Sequence, residues 1–203
     1  MDKHSDIIRK RYNRVSSIYD MMDRMIKEKW REDLLSSLSG KILEVGVGTG
    51  ANFPFYSKEA EVIGIDFSEG MLKKAEKRLE KDSYKASIQI VKMDAQDMVF
   101  DDHEFDYVVT SCVFCSVPDP VKGMKEMKRV CKQDGQILML EHMKSNNPLL
   151  GPIMDVLNPL TVSLWGANIN RKTLDNLHKA GIKVTETEDL FGGIMKKIKA
   201  TPK

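Results

Sequence analysis

Apolar and polar positions follow two regimes along this chain. Residues 2–38 are dense in charge and place apolar side chains at Ile7, Ile8, Tyr12, Val15, Ile18, Tyr19, Met22, Met25 and Ile26, a helical spacing that predicts two or three amphipathic helices. From residue 41 onward, short apolar runs take over at 41–45, 61–65, 86–91, 105–110 and 136–140, and each reads as a buried strand. Helical stretches lie between them. Residues 69–80 carry Met71, Leu72, Ala75 and Leu79 on one face behind the N-cap Ser68, and residues 121–131 begin after Pro118 and Pro120. Asp134-Gly135 predicts the turn into the fifth strand. Near the end, a helix is expected up to Ala180, stopped by Gly181, and then two closing strands at 182–186 and 194–200. Strands alternating with helices predict an α/β fold around a mostly parallel sheet.

The first strand runs into glycines at 46, 48 and 50, and residues 51–56 are expected to start a helix. Such a turn lays bare backbone and a helix N-terminus against a ligand. By spacing alone Gly46-Val47-Gly48-Thr49-Gly50-Ala51 fits a dinucleotide fingerprint, and Asp66 ends the second strand, where a carboxylate accepts hydrogen bonds from a ribose diol. NAD and S-adenosylmethionine both carry that ribose. Glu44 tilts the choice, because a carboxylate beside the first glycine repels a pyrophosphate yet suits a ligand bearing an ammonium or sulfonium.

The ordered set Glu44-Val45-Gly46-x-Gly48-Thr49-Gly50, Ile63-Gly64-Ile65-Asp66-x-Ser68 and Met93-Asp94-Ala95 resembles the class I S-adenosylmethionine-dependent methyltransferases. The resemblance implies a Rossmann-like sheet of seven strands, mostly parallel with the last antiparallel, helices on both faces and an N-terminal helical cap. It implies a single domain: the cap at 1–39, a cofactor-binding core at 40–142, an acceptor-side insertion at 143–169, and a closing helix and strand hairpin at 170–203. The implied cofactor is S-adenosyl-L-methionine, with S-adenosyl-L-homocysteine as product. Its implied contacts are Tyr19 (a lid aromatic, with Tyr12), Glu44, Gly46, Val47, Gly48, Asn52, Asp66, Phe67, Met71, Asp94, Ala95, Ser111 and Cys112. Residues 17–31 and the fourth-strand region look like quinone-ring C-methyltransferases and phospholipid N-methyltransferases. The run 48–56, with Cys115-Ser116-Val117 and Glu141-His142, looks like small thiol S-methyltransferases. The acceptor expected is therefore small and apolar or lipid-like: a quinol carbon, a thiol or a phospholipid amine.

Methyl transfer from a sulfonium needs alignment, exclusion of water and management of the acceptor's proton more than covalent help. His142, at the end of the fifth strand, is the candidate proton acceptor. Residues 143–167 hold Pro148, Pro152 and Pro159 among many aliphatics and few charges, and read as a packed cap, the wall of an apolar acceptor pocket, or both. Cys112, Cys115 and Cys131 read as small buried thiols, and no metal site is expected. A formal net charge of +2 does not imply a nucleic-acid partner, whereas nine basic against five acidic residues through Arg31 allow peripheral contact of the N-terminal helices with phospholipid headgroups. With no membrane span or signal peptide in the sequence, the expected location is cytoplasmic and membrane-peripheral. Two alternatives stay open at this stage: an NAD-dependent oxidoreductase and a non-catalytic cofactor-binding protein.

Overall fold

The computed structural model describes residues 26–165 and 167–203. Tyr12 and Tyr19, and most of the expected helical cap, lie outside the described residues. What remains of that cap is α1, Glu28–Leu35, which buries Leu34 and Leu35.

Seven strands form one sheet: β1 Gly40–Val45, β2 Ala60–Asp66, β3 Ser87–Lys92, β4 Phe105–Ser111, β5 Cys131–His142, β6 Lys183–Phe191 and β7 Met195–Thr201. Their order is β3-β2-β1-β4-β5-β7-β6. Pairings from β3 through β5 are parallel, and β7 runs antiparallel to both β5 and β6. The chain builds outward from β1 to β3, then crosses back to β4 and builds the other way. The order reverses between β1 and β4, and a crevice opens there beyond the strands' carboxyl ends.

Helices α2 Glu69–Lys81, α3 Pro120–Val130, α4 Leu150–Trp165 and α5 Thr173–Lys179 complete the fold. Alternation along the strands divides the core in two. Leu43, Val45, Val108, Ile137 and Met139 face Met124, Met127 and Leu177 of α3 and α5. Ile42, Val62, Val109, Leu138 and Leu140 face Leu34 and Leu35 of α1. On that same side Leu72 and Ala75 of α2 pack against Val47 and Phe53. Fully burying one such aliphatic contributes about 1.5–3 kcal/mol, so the two faces hold the crevice from both sides.

Two expectations are corrected. Residues 51–56 do not start an α-helix: a single 3₁₀ turn, Phe53–Phe55, follows the glycines. Pro54 has no N–H to continue a helical ladder, and Phe53 folds under Gly50, where an added Cβ would lie 2.2 Å from the Phe53 ring at φ +81°. No helix N-terminus therefore faces the crevice at this turn. The expected turn at Asp134-Gly135 lies within β5 as an irregularity, where pairing jumps from Phe105↔Cys131 to Tyr107↔Gln136. β6 is also longer than expected, because β7 pairs with it as far as Phe191.

Candidate functional site

The site is built from the ends of β1, β2 and β4. At Gly46 the backbone turns at φ +70°, and an added Cβ would come within 2.5 Å of Val113 Cγ2, so only glycine lets the chain pass. The Gly46 and Val47 N–H groups both donate to the Ile65 carbonyl, and Gly48 N donates to Asp66 Oδ2 at 3.0 Å. Asp66 Oδ1 accepts from Ser68 N at 2.8 Å, and Ser68 caps α2 by accepting from Met71 N at 3.3 Å. One carboxylate thus joins the glycine turn to the start of α2.

Two adjoining cavities share Gly46 and Gly48. The larger runs along Asp66, Phe67 and Met71, past Asp94 and Ala95, to Cys112, Val113 and Val117. The smaller is lined by Arg31, Glu44, Val47, Thr49, Asn52 and Ser111. In the smaller one, buried Arg31 donates to Asn52 Oδ1, and Asn52 Nδ2 donates to Glu44 Oε1 at 2.8 Å and Ser111 Oγ at 3.1 Å. Tyr56 Oη donates to the other Glu44 oxygen at 2.8 Å. Burial, and then the nearby Glu44 charge, push the Tyr56 hydroxyl well above its ordinary range, so it stays a donor. Asp94 is oriented by Gln96, whose N and Nε2 donate to Asp94 Oδ1 at 2.9 and 3.0 Å.

Burial raises Asp66 to a pKa of about 6, against the opposing backbone N–H bonds from Ser68 and Gly48. The far wall carries a strained turn: Cys112 sits at φ +54°, in the left-handed region, and its N–H donates to Leu140 O at 2.8 Å. Glu141 of β5 holds the same turn, accepting from Thr110 Oγ1 at 2.7 Å and Val113 N at 3.1 Å. Burial raises Glu141 to about 7 and pushes the Cys112 thiol well up, which keeps that sulfur an inert neutral thiol.

Every described residue of the expected cofactor set lines one of these two cavities; Tyr19 lies outside the described residues. His142 is a different case. It lines neither cavity; it ends β5 two residues beyond Leu140, whose carbonyl accepts from Cys112 N. Burial lowers its pKa, so the imidazole is neutral at pH 7. Sequence reasoning missed Arg31, Gln96 and Glu141. Arg31 reads as one charge on a solvated helix face, yet it is only 4% exposed. Gln96 had a faint signal in its closeness to Asp94, and Glu141 had one as an acid ending an apolar run. Among the described residues no group of three or more His, Cys, Asp or Glu side chains can hold a metal ion.

Comparison with known proteins gives this arrangement its class. Residues 43–139 match the family described as "Methyltransferase domain". The chain is 34% identical over 148 residues to a phosphatidylethanolamine N-methyltransferase of Cereibacter sphaeroides, covering 71% of this chain and 72% of the relative. It is 36% identical over 154 residues to a demethylmenaquinone methyltransferase of Staphylococcus carnosus, covering 70% of this chain and 63% of that one. A SAM-dependent methyltransferase from Aquifex aeolicus shares the fold, with a TM-score of 0.64, 23% identity and coverage of 87% and 89% of the two chains. The chain belongs to the S-adenosylmethionine-dependent methyltransferases. S-adenosylmethionine is its cofactor, and the NAD-dependent alternative falls. The missing helix at the glycine turn agrees with that, since no helix N-terminus stands there to receive a pyrophosphate.

Proposed function

We propose that this protein transfers the methyl group of S-adenosylmethionine to a lipid-like acceptor, a phospholipid amine or a quinol carbon. The observation carrying the cofactor's seat is the row of three carboxylates, Glu44, Asp66 and Asp94, along two joined cavities. The cofactor has three sets of donors, an ammonium, a ribose diol and an adenine amino group, and each requires an acceptor. Asp66 would hold the ribose hydroxyls while keeping its bonds to Gly48 and Ser68. Asp94, steadied by Gln96, would take the adenine amino group, with Phe67 and Met71 against the ring. Glu44, held by Asn52 and Tyr56 in the smaller cavity, would face the ammonium. Buried Arg31 supplies a cation where a carboxylate would sit. When bound, the cofactor supplies a methyl already activated by its positive sulfur.

The remaining work belongs to the chain's own residues. The turn from Ser111 to Val117, pinned from β5 by Glu141 and the Leu140 carbonyl, fixes the wall against which an acceptor would align. Val113, Val117 and Met93 make that wall apolar and exclude water. His142, neutral at pH 7 and at the carboxyl end of β5, is the proton acceptor in this reading. The two relatives act, by name, on phosphatidylethanolamine and on demethylmenaquinone, which supports a lipid acceptor for a chain that covers most of each. The reading places the protein in the cytoplasm at the membrane's edge; among the described residues no helix is long and apolar enough to cross a membrane.

The test has two stages. Calorimetric titration should give binding of S-adenosylmethionine and S-adenosylhomocysteine and no signal from NAD. Turnover is then assayed with radiolabelled cofactor against phosphatidylethanolamine, a demethylated quinol and a small thiol. Turnover of the thiol alone would overturn the lipid reading, and tight cofactor binding with no methylated product from any acceptor class would leave the non-catalytic alternative standing.

A further inference from the structure

Helix α4 is turned inside out relative to an ordinary surface helix. Its contacts with the rest of the chain include several polar ones. Lys144 pairs with Asp155 at 2.5 Å, and Asn170 Nδ2 donates to the same carboxylate at 3.0 Å. Asn158 Oδ1 accepts from Ile169 N at 2.9 Å, and among the residues of the helix whose burial is described Gly151, Met154 and Thr161 are the buried ones. Outward stand Leu149, Ile153, Val156, Leu157, Leu160 and Leu164, between 45% and 78% exposed, which are six of the nine large exposed aliphatic or aromatic side chains among the described residues. At 3.6 residues per turn these six occupy one continuous arc of roughly 100°, with no polar residue interrupting it. Exposed apolar side chains scattered singly need no explanation, but a continuous stripe does.

Beside the start of this stripe is a second cavity, separate from the cofactor site. It is lined by Pro148 before α4, Pro152 in its first turn, and Lys144, Arg171, Lys172 and Lys196. Three acids temper its charge: Asp155 on Lys144, Asp189 reaching Lys196 at 3.6 Å, and Asp175 in the lining. Arg171 and Lys172 enter no ion pair among the described residues. Two donors of the lining residues have no hydrogen-bond partner among the described residues, Arg171 Nε and the hydroxyl of Thr173, and both atoms are buried beneath the cavity's surface. Orphaned buried donors are rare because each forfeits the hydrogen bond that water would have given it. The cavity's rim of four cations, of which Arg171 and Lys172 enter no ion pair among the described residues, matches an anion such as a phosphate.

We propose that α4 rests on a phospholipid surface, with its aliphatic arc among the acyl chains and the Arg171–Lys172–Thr173 cavity receiving a headgroup phosphate. The occupant follows from the two features together. The arc is purely aliphatic, as an acyl region suits, and although α4 itself carries no Lys or Arg, the cations of the adjoining cavity stand where a headgroup layer would lie. The placement also serves the site. The chain leaving α4 buttresses its wall, Asn168 N donating to Cys115 O at 2.8 Å and Arg171 Nη2 to Val117 O at 2.8 Å. A surface bound through α4 would therefore lie beside the acceptor's entrance. This deepens the lipid-acceptor reading and rests on it.

Flotation of the full chain with vesicles of phosphatidylethanolamine and phosphatidylglycerol tests the proposal, with calorimetric S-adenosylmethionine affinity measured on every variant. The wild type should float with the vesicles. Val156→Glu/Leu160→Glu should lose at least about tenfold in partitioning, since a charge cannot enter the acyl boundary, and Lys172→Glu should lose about fivefold, the loss of attraction to the headgroup layer. Both should keep wild-type cofactor affinity. Leu149→Glu, placed before the helix begins, gives the same reading if the double variant does not fold. Unchanged flotation of the arc variants overturns the proposal. So does binding of inorganic phosphate without vesicle binding, which would mark a free-phosphate site. A wild-type dimer that the double variant splits overturns it in favour of a second copy of the chain. Loss of cofactor binding by the wild type would count against the proposed function instead, so the two failures are distinguishable.

Discussion

Glu141→Gln offers a test whose size can be worked from the structure. The Glu141 side chain is fully buried; Oε1 accepts from Thr110 and Val113, and Oε2 has no hydrogen-bond partner among the described residues. Burial raises the carboxyl from 4.5 to about 7. A raised folded-state value means that the folded protein prefers the neutral acid. The stability linked to this group is complete below about pH 4.5 and is lost as pH rises through about 7. A shift of this size is worth about 3 kcal/mol once ionisation is complete, and roughly 2–3 kcal/mol of that falls between about pH 5 and 8. Glutamine keeps an acceptor for Thr110 and Val113 and removes the ionisation. Urea unfolding of the cofactor-free protein at several pH values across that range should show the variant gaining on the wild type by roughly 2–3 kcal/mol as pH rises. Asp66, also raised by burial, contributes equally to both curves and cancels in their difference. Parallel curves would refute the reasoning, because they would mean that Glu141 ionises as easily in the folded chain as in the unfolded one.

Asp66→Ala should weaken S-adenosylmethionine binding by at least about 1–2 kcal/mol, the scale of losing charge-assisted hydrogen bonds, and calorimetry reads this directly. In the wild type the same affinity should fall as pH drops below about 6, where Asp66 takes up a proton; an affinity flat from pH 5 to 8 would remove Asp66 from the site. Gly46→Ala should destabilise the fold by at least about 1–3 kcal/mol from backbone strain alone, with the Val113 clash added, and thermal unfolding measures it. Ser68→Ala removes the cap of α2 and should cost about 1 kcal/mol in urea unfolding. For His142→Ala, the rate against pH should fall and lose its acidic limb, which in the wild type should lie below pH 6.5 because burial lowers the imidazole. An unaltered profile would show that the proton leaves by another route.

Much of this protein was legible before folding. Five apolar runs located β1 to β5, although β5 begins earlier than its run, because the central strands β1, β2, β4 and β5 are covered on both faces and must be nearly continuous in aliphatics. That Gly46, Asp66 and Asp94 would line one crevice was also legible, since each lies at or just past a strand's end and parallel strands bring their carboxyl ends to one edge. Tertiary structure decided what depends on contacts distant in sequence. Residues 51–56 carry a plausible helix pattern, yet Phe53 packing under Gly50 and the missing N–H of Pro54 leave one 3₁₀ turn. Arg31 reads as an ordinary surface charge until α1 folds it onto Asn52. Glu141 reads as a rim acid until β4 and β5 pair and enclose it. The aliphatics of residues 149–164 read equally as core or as pocket wall, and only their outward arc on α4 separates the two. Periodicity states how apolar a face is; which neighbour, if any, covers that face is set by elements far along the chain.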